Sequence, residues 1–324
     1  MPTDASAPAQ SPGADFDLLA IGELLVDLIS TEPADSLSTA RAFERHQGGS
    51  PANIAVNTAR LGGRAAMMAD VGDDAFGAFL VEALARAGVA TDYITTDPDA
   101  HTSLVFVART TTTPDFLPLR DADWRLTADG DALARAIART RAVHTSTWPL
   151  SREPARSLVQ AALQMAQAQG KLTSLDPNYS PRVWPDRQEA LAVLEATLPH
   201  VAIVKPSRDD AARLFGEPLS NEDILRRFHA MGPEIVILTM GAEGTLLFES
   251  GETTHIPARP IEVVDATGAG DAFWSGFLLA KLEGLSTLHA GYVAREIVER
   301  KLQTVGPLPS SLDREAIYEQ TAPP

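Results

Sequence analysis

"VVDATGAGDAFWSGFLLA", residues 263–280, decides how the chain is read. Val263 and Val264 suit a buried strand, "ATGAG" makes a turn, and Phe273 through Leu279 suit a buried helix. Such a turn leaves the first N–H groups of the helix bare, equivalent to about half a positive charge. It is therefore built to hold an anion, and a phosphate fits. Asp271 stands in that positive end. As a plain first-turn acid it stabilises the helix dipole by about 0.3–1 kcal/mol. With a phosphate donor on the turn, it can instead take the proton from an attacking hydroxyl, the one acceptor that phosphoryl transfer asks for. An ordinary carboxyl pKa of about 4 leaves it ionised at neutral pH.

Outward from this stretch the same plan repeats. "FDLLAIGEL" (16–24), "RAAMMADVG" (64–72), "RAVHTSTW" (141–148), "KLTSLD" (171–176), "HVAIVK" (200–205) and "EIVILTMG" (234–241) read as strands, most followed by helix-like stretches. That alternation implies right-handed crossovers and an α/β fold with a mostly parallel, doubly wound sheet. Residues 26–47 and 101–120 break the rhythm and read as β-rich hairpins, extra strands that form a lid over a site. No Pro/Gly-rich linker divides the chain, so residues 16–308 read as one main domain, with a lead at 1–15 and a tail at 309–324. The lead is rich in Ala, Pro and Ser with no basic start and no apolar core, so it reads as disordered and not as a secretion signal.

The 324 residues carry 27 Lys and Arg against 43 Asp and Glu, a formal net charge of −16. That balance argues against nucleic acid or an anionic membrane as partner, because both are bound through basic surface. The absence of cysteine excludes disulfides, thiolate nucleophiles and cysteine-based zinc sites. No apolar run approaches the roughly 20 residues of a membrane span, and the expected location is the cytoplasm.

Three further turns carry polar groups. In "GGSPANIAVNTARLGG" (48–63), Ser50 suits an N-cap and Pro51 the first helical position. Gly48 and Gly49 let the backbone approach a ligand, and Asn53 and Asn57 share a helix face. "TMGAEGTLLF" (239–248) is a strand, a Gly-x-x-Gly turn and a strand. "VKPSRDDAARLFG" (204–216) ends a strand and opens an acidic helix, where Ser207 and Asp210 have the spacing of a capping box. Asp209 and Asp210 also suit water-mediated organisation of Mg²⁺. The chain lacks G-x-x-x-x-G-K-[ST] and has no G-x-G-x-x-G after its first strand, which argues against P-loop NTPases and Rossmann dehydrogenases.

"DATGAGDAF" (265–273) and "GGSPANIAVNTARLGG", in their order and spacing, resemble the two signatures of the ribokinase-like, or PfkB, carbohydrate kinases. The resemblance spans about residues 16–308. It implies a three-layer α/β/α sandwich with a small β-lid and a sugar site between them. It implies transfer of the γ-phosphoryl group of Mg-ATP to a sugar hydroxyl. Asp271 would then be the catalytic base, with Gly268, Ala269 and Gly270 the anion hole. Asp27, Gly48, Gly49 and Asn53 would contact the sugar. Thr239, Gly241 and Gly244 would receive ATP, with Lys205 on the same nucleotide side. Asp265 and Thr267 would contribute to a monovalent-cation site, for K⁺, and Asp210 to Mg²⁺ organisation. Relatives often dimerise through lid strands, so a homodimer is expected.

The chain departs from the family pattern in three places. In "SLDPNYSPRVW" (174–184), Ser180 stands where Arg is common, and Arg182 is close enough to substitute in substrate binding. The family's N-x-x-E segment is Ser207-Arg208-Asp209-Asp210. The C-terminal helix "AGYVAREIVERKLQTVG" (290–306) is bulkier and more charged than usual. The opening strand, the Gly-Gly helix start and "DPNY" look nearest to fructokinases, so fructose leads. Ketodeoxygluconate, tagatose, ribose, a nucleoside, or a sugar-binding regulator without turnover are the alternatives.

Overall fold

Alternation along the first strand sets the layering. The computed structural model describes residues 14–109, 115–304, 308–309 and 312–322. Most of the lead (1–13), the middle of the second lid stretch (110–114) and parts of the tail lie outside them. In β1 (Phe16–Ile21) Leu19 and Ile21 enter one core, while Leu18 and Ala20 enter the packing on the opposite face. The chain then leaves for β2 (Leu25–Pro33) and β3 (Phe43–Gly48) before α1 (Ser50–Arg60) returns it. β4 (Ala65–Gly72), α2 (Ala75–Arg86) and β5 (Ala90–Asp97) build one edge of the main sheet. β6 (Leu104–Arg109) and β7 (Phe116–Leu119) leave it again.

On the far side of β1 come α3 (Gly130–Ala138), β8 (Thr140–Ser146), α4 (Thr147–Leu150), α5 (Ala155–Ala168) and β9 (Leu172–Asp176). α6 (Arg187–Thr197), β10 (Ile203–Val204), α7 (Arg208–Phe215), α8 (Asn221–Ala230) and β11 (Ile235–Thr239) follow. β12 (Thr245–Glu249) and β13 (Glu252–Ile256) fold back antiparallel. Three helices close the described chain: α9 (Ala269–Leu282), α10 (Thr287–Leu302) and α11 (Arg314–Gln320).

The main sheet runs β13-β12-β11-β10-β9-β8-β1-β4-β5, parallel from β5 to β11. α3 and α5 to α8 cover one face around Leu163, Leu194 and Phe228. α1, α2 and α9 to α11 cover the other around Ile54, Leu80, Trp274 and Phe277. This is the expected three-layer α/β/α sandwich. α11, within the 309–324 stretch, packs Ile317 into that second face.

The lid is a separate sheet in the order β3-β2-β6-β7. Its two hairpins are each antiparallel, as expected, but β2 and β6 join them in parallel, with Val26 opposite Leu104 and Asp27 opposite Val105. The strand expected at Val263–Val264 does not form. Both residues are 55% exposed, in an irregular segment between β13 and α9. The sheet already ends at β13, so the segment bonds elsewhere: the N–H groups of Val264 and Asp265 donate to the Leu302 carbonyl at the end of α10.

Strand order reverses at β1, between β4 and β8. In open α/β sheets ligands bind at the carboxyl ends of strands beside such a switch point. Those ends carry Glu23 past β1, Ser146 on β8, Asp176 on β9 and Lys205 past β10, all buried. So many buried polar groups at one end of a sheet point to a site.

The exposure pattern has a measurable consequence. In urea melts, Val264→Thr should leave stability within about 0.5 kcal/mol, as an ordinary surface change does. Phe277→Ala, in the fully buried helix, should cost about 3–5 kcal/mol. Comparable losses in the two variants would contradict this placement.

Candidate active site

Two helix N-termini meet at one carboxylate. Asp271 lies in the first turn of α9, behind Gly268 as N-cap. Ser50 Oγ, at the start of α1, donates to its Oδ1 at 2.7 Å. Asn53 Nδ2, one turn on, donates to its Oδ2 at 2.9 Å. Gln47 Nε2 donates to Asn53 Oδ1 at 2.9 Å and so fixes which end of the amide faces the acid. The expectation that Ser50 caps α1 is corrected here. Gly49 is the N-cap, no side chain caps the helix, and the Ser50 hydroxyl serves Asp271 instead. Gly49 makes this possible: its φ is 100°, and a Cβ there would stand 2.2 Å from the Glu23 carbonyl oxygen.

The expected pKa of Asp271 is corrected too. Burial pushes it up, the Ser50 and Asn53 bonds and Lys205 pull it down, Asp176 raises it, and it stands at about 6. It is thus mostly ionised at neutral pH, yet close enough to neutrality to accept a proton readily. Asp27, on lid strand β2, is pushed up to about 7 by burial and by the charge of Asp271. It sits over Gly48, where a Cβ would stand 2.2 Å from its Oδ2, so any larger residue would displace the carboxylate.

Behind these lies Glu23, 1% exposed. Its Oε1 accepts the Ser50 N–H at 3.2 Å, and its Oε2 accepts Ser146 Oγ at 2.9 Å. Burial pushes Glu23 up to about 8, so it is held neutral at pH 7 and ties the end of β1 to α1 and β8.

The opposite wall is cationic. Lys205, 4% exposed, sets its ammonium 2.9 Å from Asp176 Oδ2, which also accepts Trp274 Nε1 at 2.8 Å. The ammonium lies 5.6 Å from the Trp274 ring centre. A Cβ on Gly270 would stand 3.6 Å from Lys205 Nζ, which places the ammonium against the turn 268–270. The helix dipole and the lysine therefore converge on one space, and an anion fits there. His144 packs on Trp274 with ring centres 4.9 Å apart and is held neutral, at about 3, by burial and by Lys205. It belongs to the wall.

Thr239, Gly241 and Gly244 line a turn at the end of β11, and the Thr239 N–H donates to Pro206 O beside Lys205. Asp210 completes the capping box of α7: its Oδ2 accepts the Ser207 N–H and hydroxyl, and its Oδ1 accepts Arg213 Nη2. Asp210 is thus a helix cap, and the water-mediated role toward Mg²⁺ read from the sequence would use the acceptor capacity left on its oxygens. Among the described residues no group of three or more His, Asp or Glu is set to hold a metal.

Asp265 Oδ1 accepts the Thr267 N–H at 2.9 Å, while Lys301 Nζ donates to Asp265 Oδ2 at 3.2 Å. The oxygens read as a monovalent-cation site thus face an ammonium. Arg182 donates to Asp115 at 2.6 Å, with its guanidinium 5.5 Å from the Phe116 ring centre. It is tied to the lid edge.

Two helix N-termini, two buried carboxylates and an ammonium around one cleft suit a phosphotransferase that acts on an alcohol. The pfkB family carbohydrate kinase signature matches residues 15–306, and the chain belongs to that family. It is 36% identical to an ATP-dependent 6-phosphofructokinase of Thermoanaerobacterium thermosaccharolyticum, covering 90% of this chain and 89% of that one. A fructokinase of Halothermothrix orenii superposes with a TM-score of 0.77 at 41% identity, over 90% of this chain and 99% of that one. A sugar kinase of Pyrococcus horikoshii in complex with ATP superposes with a TM-score of 0.82 at 29% identity, over 94% and 100%. The chain is an ATP-dependent sugar kinase.

Glu23, Ser50, Asp176, Trp274 and Lys301 escaped the reading of the sequence. For two of them a signal exists: "LLAIGE" and "KLTSLD" each close an apolar run on an acid. An acid placed there lands at the carboxyl end of a strand.

A base at Asp271 would work ionised, so the rate would fall as it gains a proton. kcat/KM for the sugar should rise with pH through about 6 and level off above. Ser50→Ala removes a bond that favours the charged form and should move the midpoint upward. Initial rates of ADP release across pH give both values, and an unmoved midpoint in Ser50→Ala would remove this role.

Proposed function

We propose that the chain phosphorylates a hydroxyl of fructose, or of a closely related ketose, from Mg-ATP. The observation that carries this is the opposition of Asp27 and Asp271 to the turn 268–270 and Lys205. Asp271 takes the proton of the sugar hydroxyl as its oxygen attacks the γ-phosphorus. The bond from that phosphorus to the bridging oxygen breaks, and ADP leaves with the electron pair. The N–H groups at Gly268 and Gly270, that of Ala269 once it leaves its 3.3 Å bond to the Ala266 carbonyl, and Lys205 hold the charge on the transferring group. Asp27 and Asn53 contact sugar hydroxyls over Gly48 and Gly49. Thr239, Gly241 and Gly244 receive the nucleotide. Arg182 serves the acceptor side through its hold on the lid edge.

A second acceptor deserves a place in the test. The relative named 6-phosphofructokinase favours an already phosphorylated fructose. ADP release should therefore be measured with fructose, fructose 6-phosphate, tagatose, ketodeoxygluconate, ribose and nucleosides. One acceptor should dominate, and fructose is the expected one. Asp271→Asn should lower kcat by about 10²–10⁴-fold, the usual loss of a general base. Sugar binding with no ADP release from any acceptor would identify a regulator in place of a kinase.

The enzyme works as a homodimer joined through its lids. Leu117 and Leu119, on edge strand β7, are 46% and 49% exposed, and an unpaired edge invites a second copy. Light scattering should give twice the chain mass, and Leu117→Lys should halve it. A monomer at micromolar concentration would defeat this assignment. We place the enzyme in the cytoplasm with its nucleotide; among the described residues no helix is long and apolar enough to cross a membrane.

A further inference from the structure

We propose that the ammonium of Lys301 is the built-in cation of the phosphate-holding turn, so that the kinase works without a bound monovalent metal ion. This rests on the kinase reading above. Lys301 lies in the last turn of α10 and is 3% exposed. Its Nζ stands 3.2 Å from Asp265 Oδ2, 3.4 Å from the Asp265 carbonyl oxygen and 3.5 Å from the Thr304 carbonyl oxygen. A carboxylate and two carbonyls at the negative end of a helix are the surroundings that hold a desolvated monovalent cation. Here a side chain supplies it.

The position relates the cation to the chemistry. A Cβ built on Gly268, the N-cap of α9, would stand 3.9 Å from Lys301 Cε. The same segment is sewn to α10 by its backbone, with the Val264 N–H 2.8 Å and the Asp265 N–H 3.3 Å from the Leu302 carbonyl oxygen. The Thr267 N–H then closes on Asp265 Oδ1 and the Ala269 N–H on Ala266 O. Lys301 thus neutralises Asp265, the acid that opens the segment, and pins the backbone that leads into the turn 268–270. A metal ion at these oxygens would meet the ammonium at close range, where like charges repel strongly. The residues therefore do not fit an added K⁺. Lys301 bonds to the oxygens of Asp265 and Thr304 and acts through that backbone, so it is a positioning residue.

The test starts with the unmodified protein. ADP release should proceed equally in potassium, sodium and choline chloride at one ionic strength, and the melting temperature should be the same in all three. A rate or a melting temperature raised by K⁺ specifically would overturn the proposal. Lys301→Met keeps the length and removes the charge, so kcat should fall by about 10–100-fold while the sugar KM holds, as for a residue that orients others. Lys301→Ala opens the oxygens, and K⁺ or methylammonium should restore part of its rate. Full kcat in Lys301→Met would overturn the proposal as well. Should neither variant fold, the cation series on the unmodified protein decides. Should no acceptor give ADP, the kinase reading fails separately, and the melting temperatures still decide the cation question.

Discussion

The two hydrogen bonds from Ser50 and Asn53 to Asp271 hold the working half of the molecule together. α1 and α9 both point their positive ends at the cleft, an arrangement that repels unless an anion stands between them. Asp271 is that anion, and it is covalently part of one helix while bonded to the other. Everything nearby serves this contact. Gly49 frees the Ser50 hydroxyl from capping, Gln47 orients Asn53, and neutral Glu23 fixes the Ser50 backbone from below. The bonds that steady the carboxylate also favour its charged form.

Across the cleft the logic is reversed. Lys205 and the bare N–H groups of α9 concentrate positive charge where a phosphoryl group would pass, and Asp176 and Trp274 keep the lysine from swinging away. Low-dielectric surroundings make each of these interactions stronger than in water, and they cost no rearrangement at the moment of reaction. Asp27 arrives from a different sheet, so the acceptor side of the site is complete only where the lid meets the sandwich.

Much of this was legible in the chain itself, for reasons of local chemistry. The alternation of apolar strands and amphipathic helices predicted the layers, and the two glycine turns predicted where helix N-termini would gather. What escaped depends on meetings between distant segments. Ser50 reads as a cap in isolation because its partner lies at Asp271, far along the chain. Val263 and Val264 read as strand because nothing local says that the sheet has already ended at β13. Lys301 sits among other charges in a helix that stands out in the sequence only as bulky and charged, and only the return of that helix to Asp265 buries it. The parallel seam between β2 and β6 is likewise invisible to turn chemistry, which sees two hairpins and not their neighbourhood.

That seam also orders events in time. β2 and β6 are central to the lid, yet α1, β4, α2 and β5 all lie between them in the chain. Their pairing closes a long loop, and such closures are slow because their entropy is spent before any contact rewards it. The bond from Ser50 to Asp271 spans 221 residues, a longer loop still, so on the same reasoning the cleft between α1 and α9 closes after the lid seam.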